Sequence, residues 1–225
     1  MKYNFSPETC WYKNVCNLSG TNDCTEYCIR FGQMKHMIES SNLPRTLCYP
    51  IRLEPTESDL DAFIKLDNIR KNIVEFVHCG KNVYIFSNVS GNGKTSWSAK
   101  LMLKYFEQVW QNNYYRERGL FVPVTELLMD ARLFGFNNDK TKQLFNKIKL
   151  VDLVIWDDIG VTQFTPMELG ILYSLISYRI SNGLSNIYTG NLNQEQLCEV
   201  VGNKLCSRIF EESICIEFTG MSRRG

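Results

Sequence analysis

The chain has 225 residues, a formal net charge of +1 and 44% hydrophobic residues. This length suits one medium-sized domain with a small appendage, and the apolar content can fill a core. The near-zero charge excludes a global attraction to polyanions, so any nucleic-acid contact would need a local patch. No stretch approaches the ~18 consecutive apolar residues of a membrane span, and the N-terminus lacks the zones of a secretory signal. We therefore expect a cytoplasmic protein with no membrane partner.

Cysteines crowd the N-terminal part of the chain. Four of the nine follow the spacing C-x5-C-x7-C-x3-C, namely Cys10, Cys16, Cys24 and Cys28. A reducing compartment disfavours disulfides, which leaves metal binding or plain burial. Four thiolates can close a tetrahedral Zn²⁺ site, and coordination would supply the folding energy that a weak core lacks. Open alternatives are an iron–sulfur cluster, His36 in place of one sulfur, and four buried cysteines without a ligand. The other five cysteines are scattered, and we expect each to pack as a small hydrophobe.

A polar connector follows the cysteines. Residues 41–58 contain half of the chain's six prolines, at Pro44, Pro50 and Pro55. Proline disfavours helix, so the connector should be extended. The sequence therefore predicts a small Cys-rich zinc module with its linker over residues 1–50, followed by a larger domain over residues 51–225.

The larger domain alternates helical and strand patterns. Apolar spacing predicts one amphipathic helix between Ser58, a candidate N-cap, and Gly80, a candidate stop. Five short apolar runs then predict strands, separated by helical segments, at residues 82–87, 120–124, 152–156, 185–189 and 214–218. Such alternation predicts an α/β fold with a five-stranded parallel sheet between helices, and ligands at the carboxyl ends of the strands.

The first strand leads into a glycine-rich loop. The loop NVSGNG separates this strand from a helix that starts at Lys94. In a phosphate-binding loop, backbone N–H groups and the helix N-terminus surround anionic oxygens. Lys94 would reach the β- and γ-phosphates of a nucleotide, and the Thr95 hydroxyl would ligate Mg²⁺. Asn88 replaces the first glycine of the GxxxxGK[ST] pattern, and asparagine tolerates a positive φ. A chance glycine-rich turn is the alternative. The predicted nucleotide-binding residues of this loop are Asn88, Gly91, Asn92, Gly93, Lys94, Thr95 and Ser96.

Two acids end the third strand, in LVDLVIWDD. Asp157 would hold Mg²⁺ beside the loop, and Asp158 would orient or deprotonate the attacking water. Many ATPases of this type carry Glu at the second position, so the shorter Asp158 suggests slow hydrolysis. A solvated acidic turn is the alternative.

Two polar residues near the later strands complete the candidate catalytic set. Asn191 follows the fourth strand and could hold the attacking water; alternatively it caps the next helix. Arg208 precedes the last strand and could act on a neighbouring subunit's γ-phosphate as an arginine finger. Its alternative is a surface salt bridge to Glu211 or Glu212.

The motifs SGNGKTS, VIWDDIG, YTGNLN, CSRIF and GMSRR occur in the order found in AAA+ helicase loaders of the DnaC/DnaI type. From about Asn82 to its end, the chain resembles this family, including its short phage-encoded versions. The resemblance implies that the first four motifs are Walker A, Walker B, sensor 1 and the arginine finger, and that Arg223 contacts nucleotide, with Arg224 as a substitute. Only seven residues follow Phe218, so we expect no C-terminal helical lid.

The family likeness also implies a function and partners. A member would bind ATP and Mg²⁺, self-associate through the arginine finger and load a hexameric replicative helicase onto single-stranded DNA in a bacterial or phage-infected cell. Its N-terminal region would grip the helicase, with Trp11 and Tyr12 as candidate anchors unless they cover the metal. DNA would meet a helix pair that carries Phe136 and four lysines, unless this is only a solvated face. The lysines are Lys140, Lys142, Lys147 and Lys149.

Three other functions remain open at the level of sequence. One is a transposition-helper ATPase of similar architecture, which would not need the cysteines. Another is a small-molecule P-loop kinase, which would need a lid arginine and an acceptor pocket. The third is a nucleotide switch in which Asp158 does not support hydrolysis.

Overall fold

A computed structural model describes residues 6–135, 138–160 and 163–222. Its centre is a five-stranded sheet made of β1 (Asn82–Phe86), β2 (Gly119–Pro123), β3 (Leu153–Asp157), β4 (Ser185–Gly190) and β5 (Ser213–Glu217). All neighbouring strands are parallel, in the order β2-β3-β4-β1-β5. The predicted five-stranded parallel sheet is confirmed, with strand bounds that differ from the prediction by at most one residue.

Eight α-helices lie in the described part of the chain. They are α1 (Ile29–Ser40), α2 (Leu60–Lys71), α3 (Ile73–His78), α4 (Lys94–Val109), α5 (Val124–Phe134), α6 (Asp139–Leu150), α7 (Pro166–Ser181) and α8 (Gln194–Phe210). Short 3-10 turns occupy Arg45–Leu47, Glu57–Asp59 and Trp110–Asn112. Within the described ranges, none of these helices has both the length and the apolarity that crossing a membrane requires.

The sheet separates two hydrophobic cores. Val83 and Ile85 of β1 pack in a core with residues from α1 to α4, whereas Tyr84 packs with residues from α5 to α8. Side chains alternate between the two faces of a strand, so a strand buried on both faces needs the nearly continuous apolar sequence seen here. The resulting three-layer sandwich leaves the carboxyl edge of the sheet open for the loops that carry the candidate site.

The predicted helix between Ser58 and Gly80 is two helices. Asn72 has φ −110° and ψ 27°, which ends α2, and its side-chain amide donates to the Asn68 carbonyl. Ser58 is not the N-cap; Asp59 holds that position without a side-chain capping bond. The Asp59 carboxylate instead accepts from the backbone N–H groups of Thr219 and Gly220, at 3.0 and 2.8 Å. Gly80 ends the segment with φ 64°, as predicted.

The N-terminal part shares a core with the sheet domain. Helix α1 has no counterpart in the sequence prediction, and its buried Met34, Met37 and Ile38 belong to the same cluster as α2, α4 and the strands. Residues 29–40 are therefore packed against the larger domain. The division near residue 50 stays a prediction. Between residues 41 and 58 the only helical turns are the first two 3-10 turns, in agreement with a mostly extended connector.

Candidate functional site

The glycine-rich loop joins β1 to α4 as predicted. Gly91 and Gly93 have φ of 79° and 103°, in the left-handed region where a side chain is strained, and Gly93 is the N-cap of α4. Lys94 is only 6% exposed. Its Nζ donates to the Val89 carbonyl at 3.1 Å and to Asn92 Oδ1 at 3.3 Å. The loop therefore wraps around a buried ammonium group at a helix N-terminus, the electrostatic setting that binds an anion.

A cleft of about 290 Å³ opens in front of this loop. Asp158 and Asn191 face it from the ends of β3 and β4, and the remaining lining residues are Leu53, Ser90, Gly91, Asn92, Gly93, Lys94, Thr95 and Ser96. Six of the seven predicted loop residues are thus brought together. Asn88 is exposed, does not line the cleft and is not among the described residues with positive φ. Its tolerance of left-handed backbone therefore does not explain how it replaces glycine, and that reasoning was wrong.

The Asp157 carboxylate lies between two hydroxyl groups. Thr189 Oγ1 donates to its Oδ1 at 2.7 Å, and the Thr95 side chain forms a second hydrogen bond with it. Burial raises the pKa of Asp157, and the neighbouring Asp158 raises it further; the two hydroxyl groups and the charge of Lys94 act in the opposite direction. The predicted Mg²⁺ ligands Thr95 and Asp157 are therefore in contact, and their hard oxygen atoms suit this ion.

Asp158 has an unusual backbone. Its φ is 56°, in the left-handed region, and its N–H donates to Thr189 Oγ1 at 3.0 Å. Asp is one of the few non-glycine residues that adopt this conformation readily. Thr189, which is fully buried, therefore binds both acids at once. Sequence reasoning missed it because a threonine inside an apolar strand has the pattern of an ordinary strand residue.

Asn191 faces the cleft and does not cap the following helix. The N-cap of α8 is Asn193, whose Oδ1 accepts from the Gln196 N–H at 2.9 Å. The turn between them is fixed by Tyr84, whose hydroxyl donates to the Leu192 carbonyl at 2.6 Å. The capping alternative for Asn191 is thereby excluded, and its amide stays available to the cleft.

Arg208 lies in the last turn of α8 and does not line the cleft of its own chain. Its side chain is 39% exposed, and Nη1 lies 4.0 Å from Glu211 Oε2. It also hydrogen-bonds with Tyr173, which lowers the pKa of that phenol. A surface ion pair at this distance contributes little to stability, so a role in a neighbouring subunit's site is left open. Arg223 and Arg224 lie outside the described residues.

The four N-terminal cysteines line one cavity of about 270 Å³. All four are half-buried free thiols. Burial raises the pKa of the Cys10 thiol, and repulsion from Cys24, Cys28 and Cys16 adds to this increase. Yet no three His, Cys, Asp or Glu side chains in the described ranges are arranged to hold one metal ion, so the predicted Zn²⁺ site is not supported. His36 stacks edge-on against Tyr115 and does not join the cavity.

The structure also revises the prediction that Trp11 and Tyr12 anchor a protein partner. Tyr12 is 3% exposed and lines the cysteine cavity, so it is not available as a partner anchor. Trp11 is half-buried, and its Nε1 donates to the Cys48 carbonyl at 2.9 Å. Both aromatic residues therefore attach the cysteine segment to the rest of the protein.

Cys198 and Cys206 are joined by a disulfide, contrary to the expectation for the scattered cysteines. Their Cα atoms are 5.0 Å apart, although eight residues of straight α-helix would span about 12 Å. Gly202, with φ 78° and ψ 156°, kinks α8 between them and brings the two thiols together.

The four lysines proposed for DNA differ in their surroundings. Lys140 and Lys142 are exposed at the start of α6. Lys147 donates to the Ser40 carbonyl and to Glu117, and the Nζ of Lys149 lies 5.2 Å from the centre of the Tyr178 ring. Phe136 lies outside the described residues.

Comparison with known proteins shows which group of proteins this chain resembles. No protein-family model matches the chain. The replicative helicase loader DnaC of Escherichia coli K12 is 25% identical to it over 128 residues, which cover 56% of this chain and 49% of DnaC. The solved DnaC helicase loader has a TM-score of 0.62 at 16% identity, over 74% of this chain and 93% of that one. The chain resembles helicase loaders of the DnaC/DnaI type.

The likeness to these loaders extends to further structures. DnaI has a TM-score of 0.65 at 21% identity, covering 80% of this chain and 96% of the DnaI chain. The replication initiator DnaA, bound to AMPPCP and single-stranded DNA, has a TM-score of 0.59 at 15% identity, over 82% and 50%. At these identities the structures establish a shared fold. The chain spans about half the length of the curated DnaC proteins that it matches.

Proposed function

We propose that this chain is an ATPase that loads a hexameric replicative helicase onto single-stranded DNA. The observation that carries the proposal is the convergence of Lys94, Thr95 and Asp158 on one cleft, with Asp157 hydrogen-bonded to Thr95 behind it. The DnaC relatives are named replicative helicase loaders, and DnaA, of the same fold, has been solved with an ATP analogue and single-stranded DNA. Both likenesses support the proposal.

ATP fits the polarity of the cleft. Lys94 now donates to two neutral oxygen atoms within its own loop, and phosphate oxygens would be stronger acceptors for the same ammonium group. The first residues of α4 line the same cleft, and a helix N-terminus favours an anion there. Leu53, from the connector, provides an apolar wall against which a base can pack. The triphosphate would thus lie along the loop, with its base towards the connector.

Thr95 and Asp157 would hold Mg²⁺. The bound ion would neutralise part of the negative charge of the phosphates. Asp158 and Asn191 would orient the attacking water from the ends of two adjacent strands. Thr189 acts as a positioning residue, because it hydrogen-bonds to both acids. The Asp158 side chain is shorter than the glutamate that many ATPases carry here, so its carboxylate would lie farther from the phosphates. We therefore expect slow turnover.

Arg208 would complete the site of a neighbouring subunit. It is partly exposed, lies outside its own cleft, and contacts Glu211 at 4.0 Å and the Tyr173 hydroxyl. Mixtures of Arg208→Ala and Asp158→Ala subunits test this role, because one mixed interface then combines an intact finger with an intact acid. We expect partial recovery of hydrolysis, and the lack of recovery at every mixing ratio would argue against a finger acting in trans.

The DNA contact is proposed for Lys140 and Lys142. Both are exposed, whereas Lys147 and Lys149 already have partners within the protein. Phosphate contacts by lysine bind single strands with little regard to sequence. Two partly or fully exposed apolar side chains of the cysteine segment, Leu18 and Tyr27, are the proposed contacts for the helicase, since Tyr12 is buried.

The deciding experiment measures ATP hydrolysis with and without a single-stranded oligonucleotide. We expect DNA to stimulate the wild type, and the double variant Lys140→Ala/Lys142→Ala to lose stimulation while it keeps basal activity. Lys149→Ala is the matched control and should still respond. Hydrolysis that requires a small acceptor would indicate a kinase, and nucleotide binding without any hydrolysis would indicate a switch; either result contradicts the proposal.

A further inference from the structure

The Asp59 carboxylate is buried at the point where the connector enters α2, with only 1% of the residue exposed. Its Oδ1 accepts from the N–H groups of Thr219 and Gly220 at 3.0 and 2.8 Å, and its Oδ2 accepts from the Thr56 hydroxyl at 3.2 Å. Hydrogen bonds to an ionised acceptor are stronger than neutral ones, and they offset the cost of burying the charge. We call this set of contacts, between Asp59 and these three residues, the Asp59 clamp.

The two segments joined by the clamp fit closely. The Thr219 hydroxyl donates to the Ser58 carbonyl at 2.8 Å, which adds a direct bond between the segments. A Cβ atom at Gly220 would overlap with the Asp59 carboxylate. Gly220 is not among the described residues with positive φ, so its backbone conformation is open to other residues. The glycine is therefore needed for the room that it leaves beside the carboxylate.

On one side, the clamp is connected to the strand that carries the glycine-rich loop. Thr219 and Gly220 follow β5, which pairs with β1 along its whole length. The Phe218 N–H donates to the Phe86 carbonyl at 2.8 Å, at the last residue of β1. The glycine-rich loop leaves the sheet from this same strand end. The position of the clamp is therefore fixed relative to the loop that would bind the phosphates.

On its other side, the clamp is close in sequence to a wall of the cleft. Leu53 lines the cleft, and only Glu54 and Pro55 separate it from Thr56. Proline fixes its own φ and restricts the preceding residue to extended conformations. The short chain between Leu53 and the clamp therefore has little conformational freedom. Fixing the clamp restricts where Leu53 can lie.

We propose that Asp59 is a positioning residue that holds the base end of the nucleotide cleft at a set position relative to the phosphate end. The inference rests on the proposed ATP site, in which the base packs against Leu53. A wall that is ordered before binding does not have to be ordered at the expense of binding free energy. The clamp therefore favours a nucleoside triphosphate, which reaches both ends of the cleft, and contributes nothing to the binding of a triphosphate without a base.

Titration of ATP and of inorganic tripolyphosphate, each with Mg²⁺, into the wild type and Asp59→Ala tests the proposal. We expect the variant to bind ATP about tenfold more weakly and tripolyphosphate within about twofold of the wild type, because only the base end loses its order. Asp59→Asn keeps an oxygen for the two backbone N–H groups and should recover most of the ATP affinity. Equal losses for both ligands, or no loss for either, would overturn the role of Asp59.

Asp61→Ala is the matched control. Asp61 is an exposed acid two residues further along the chain, and it forms a surface ion pair with Lys65 at 2.7 Å. Its removal leaves the clamp intact, so both affinities should equal those of the wild type. A loss of ATP affinity in Asp61→Ala as large as that in Asp59→Ala would mean that negative charge near the start of α2, and not the clamp, affects binding.

Gly220→Ala disturbs the clamp from the other segment and covers the case in which Asp59→Ala does not fold. Its methyl group would push the carboxylate away from the backbone N–H groups, so the same selective loss of ATP affinity is expected. Amide exchange in residues 51–58 should become at least about fivefold faster without nucleotide, while exchange in β1 stays the same. Gly170→Ala, at an exposed helical glycine with open space around it, should change neither quantity. Unchanged ATP affinity in Gly220→Ala would contradict the clamp.

The proposed ATP site and the clamp fail in different ways. A wild type that binds neither ATP nor tripolyphosphate would overturn the ATP site, and the role of Asp59 with it. A wild type that binds ATP, with the same affinity in Asp59→Ala and Gly220→Ala, would overturn the clamp alone.

Discussion

The nucleotide cleft and the cysteine segment, residues 6–28, are stabilised by different kinds of contact. In the cleft, each functional side chain lies at the end of a strand or the start of a helix, and Thr189 and Asn92 hold the charged groups by hydrogen bonds. The segment over residues 6–28 consists of turns around a cavity. The fold therefore preorganises the cleft, whereas the segment is held by its contacts with the core, among them the hydrogen bonds from Trp11 to the Cys48 carbonyl and from Tyr12 to the Glu107 carbonyl. Changes in the cleft should then alter ligand binding and chemistry, and changes in the segment should alter local order.

The largest effect is expected for Lys94→Ala. Loss of the ammonium group should weaken ATP binding by roughly 100-fold or more, equivalent to about 2.7 kcal/mol, because its charge-assisted bonds to phosphate disappear. The melting temperature without nucleotide should change little, since the two hydrogen bonds of the lysine to Val89 and Asn92 lie within its own loop. Isothermal titration and thermal unfolding measure the two quantities.

Lys100→Ala is the matched control on the same helix. It removes a cation–π contact with Trp97, at 4.7 Å, and does not touch the cleft. Its ATP affinity should equal that of the wild type. Equal weakening in both variants would mean that Lys94 acts through the stability of α4 and not through phosphate.

A smaller effect is expected for Thr189→Val, which keeps the shape of the side chain and removes the hydroxyl. Asp157 loses a donor and the Asp158 N–H loses its acceptor, a change worth about 1.4 kcal/mol, or tenfold in rate. We expect kcat for ATP hydrolysis to fall about tenfold while the dissociation constant of ATP changes less than about threefold. Thr141→Val, at a buried threonine of α6, should leave both unchanged. A pure loss of affinity would contradict the positioning role.

The smallest effect is expected for a change in the cysteine segment. Trp11→Phe removes the hydrogen bond from the indole to the Cys48 carbonyl, worth about 1 kcal/mol. Amide exchange in residues 6–28 should become about fivefold faster, with no change in β1 or β4. Trp97→Phe is the control, because the Trp97 indole N–H has no acceptor among the described residues. Faster exchange throughout the sheet would mean that the two regions unfold together.

The strands and the loop were predictable because local sequence decides them. Strands buried on both faces need apolar runs, and the loop needs glycine where φ is positive, as at Gly91 and Gly93. The positions of Lys94, Asp158 and Asn191 follow from these elements, since parallel strands end at one edge of the sheet.

Features that depend on contacts between distant residues escaped prediction. The Asp59 carboxylate accepts hydrogen bonds from the backbone N–H groups of Thr219 and Gly220, about 160 residues away, and therefore does not cap a helix. Helix α1 is stabilised by packing on α4, and its sequence has only a weak apolar stripe. The kink at Gly202 brought Cys198 and Cys206 together, which spacing alone does not reveal.

Magnesium-dependent ATP binding tests the central claim most directly, namely that Lys94, Thr95 and Asp157 act on one metal-bound triphosphate. Titration of ATP in the presence and absence of Mg²⁺ should show tighter binding with the ion in the wild type. The account predicts that Thr95→Ala and Asp157→Asn each lose this dependence and keep the weaker metal-free affinity. No binding of ATP by the wild type, or an unchanged response to Mg²⁺ in both variants, would contradict it.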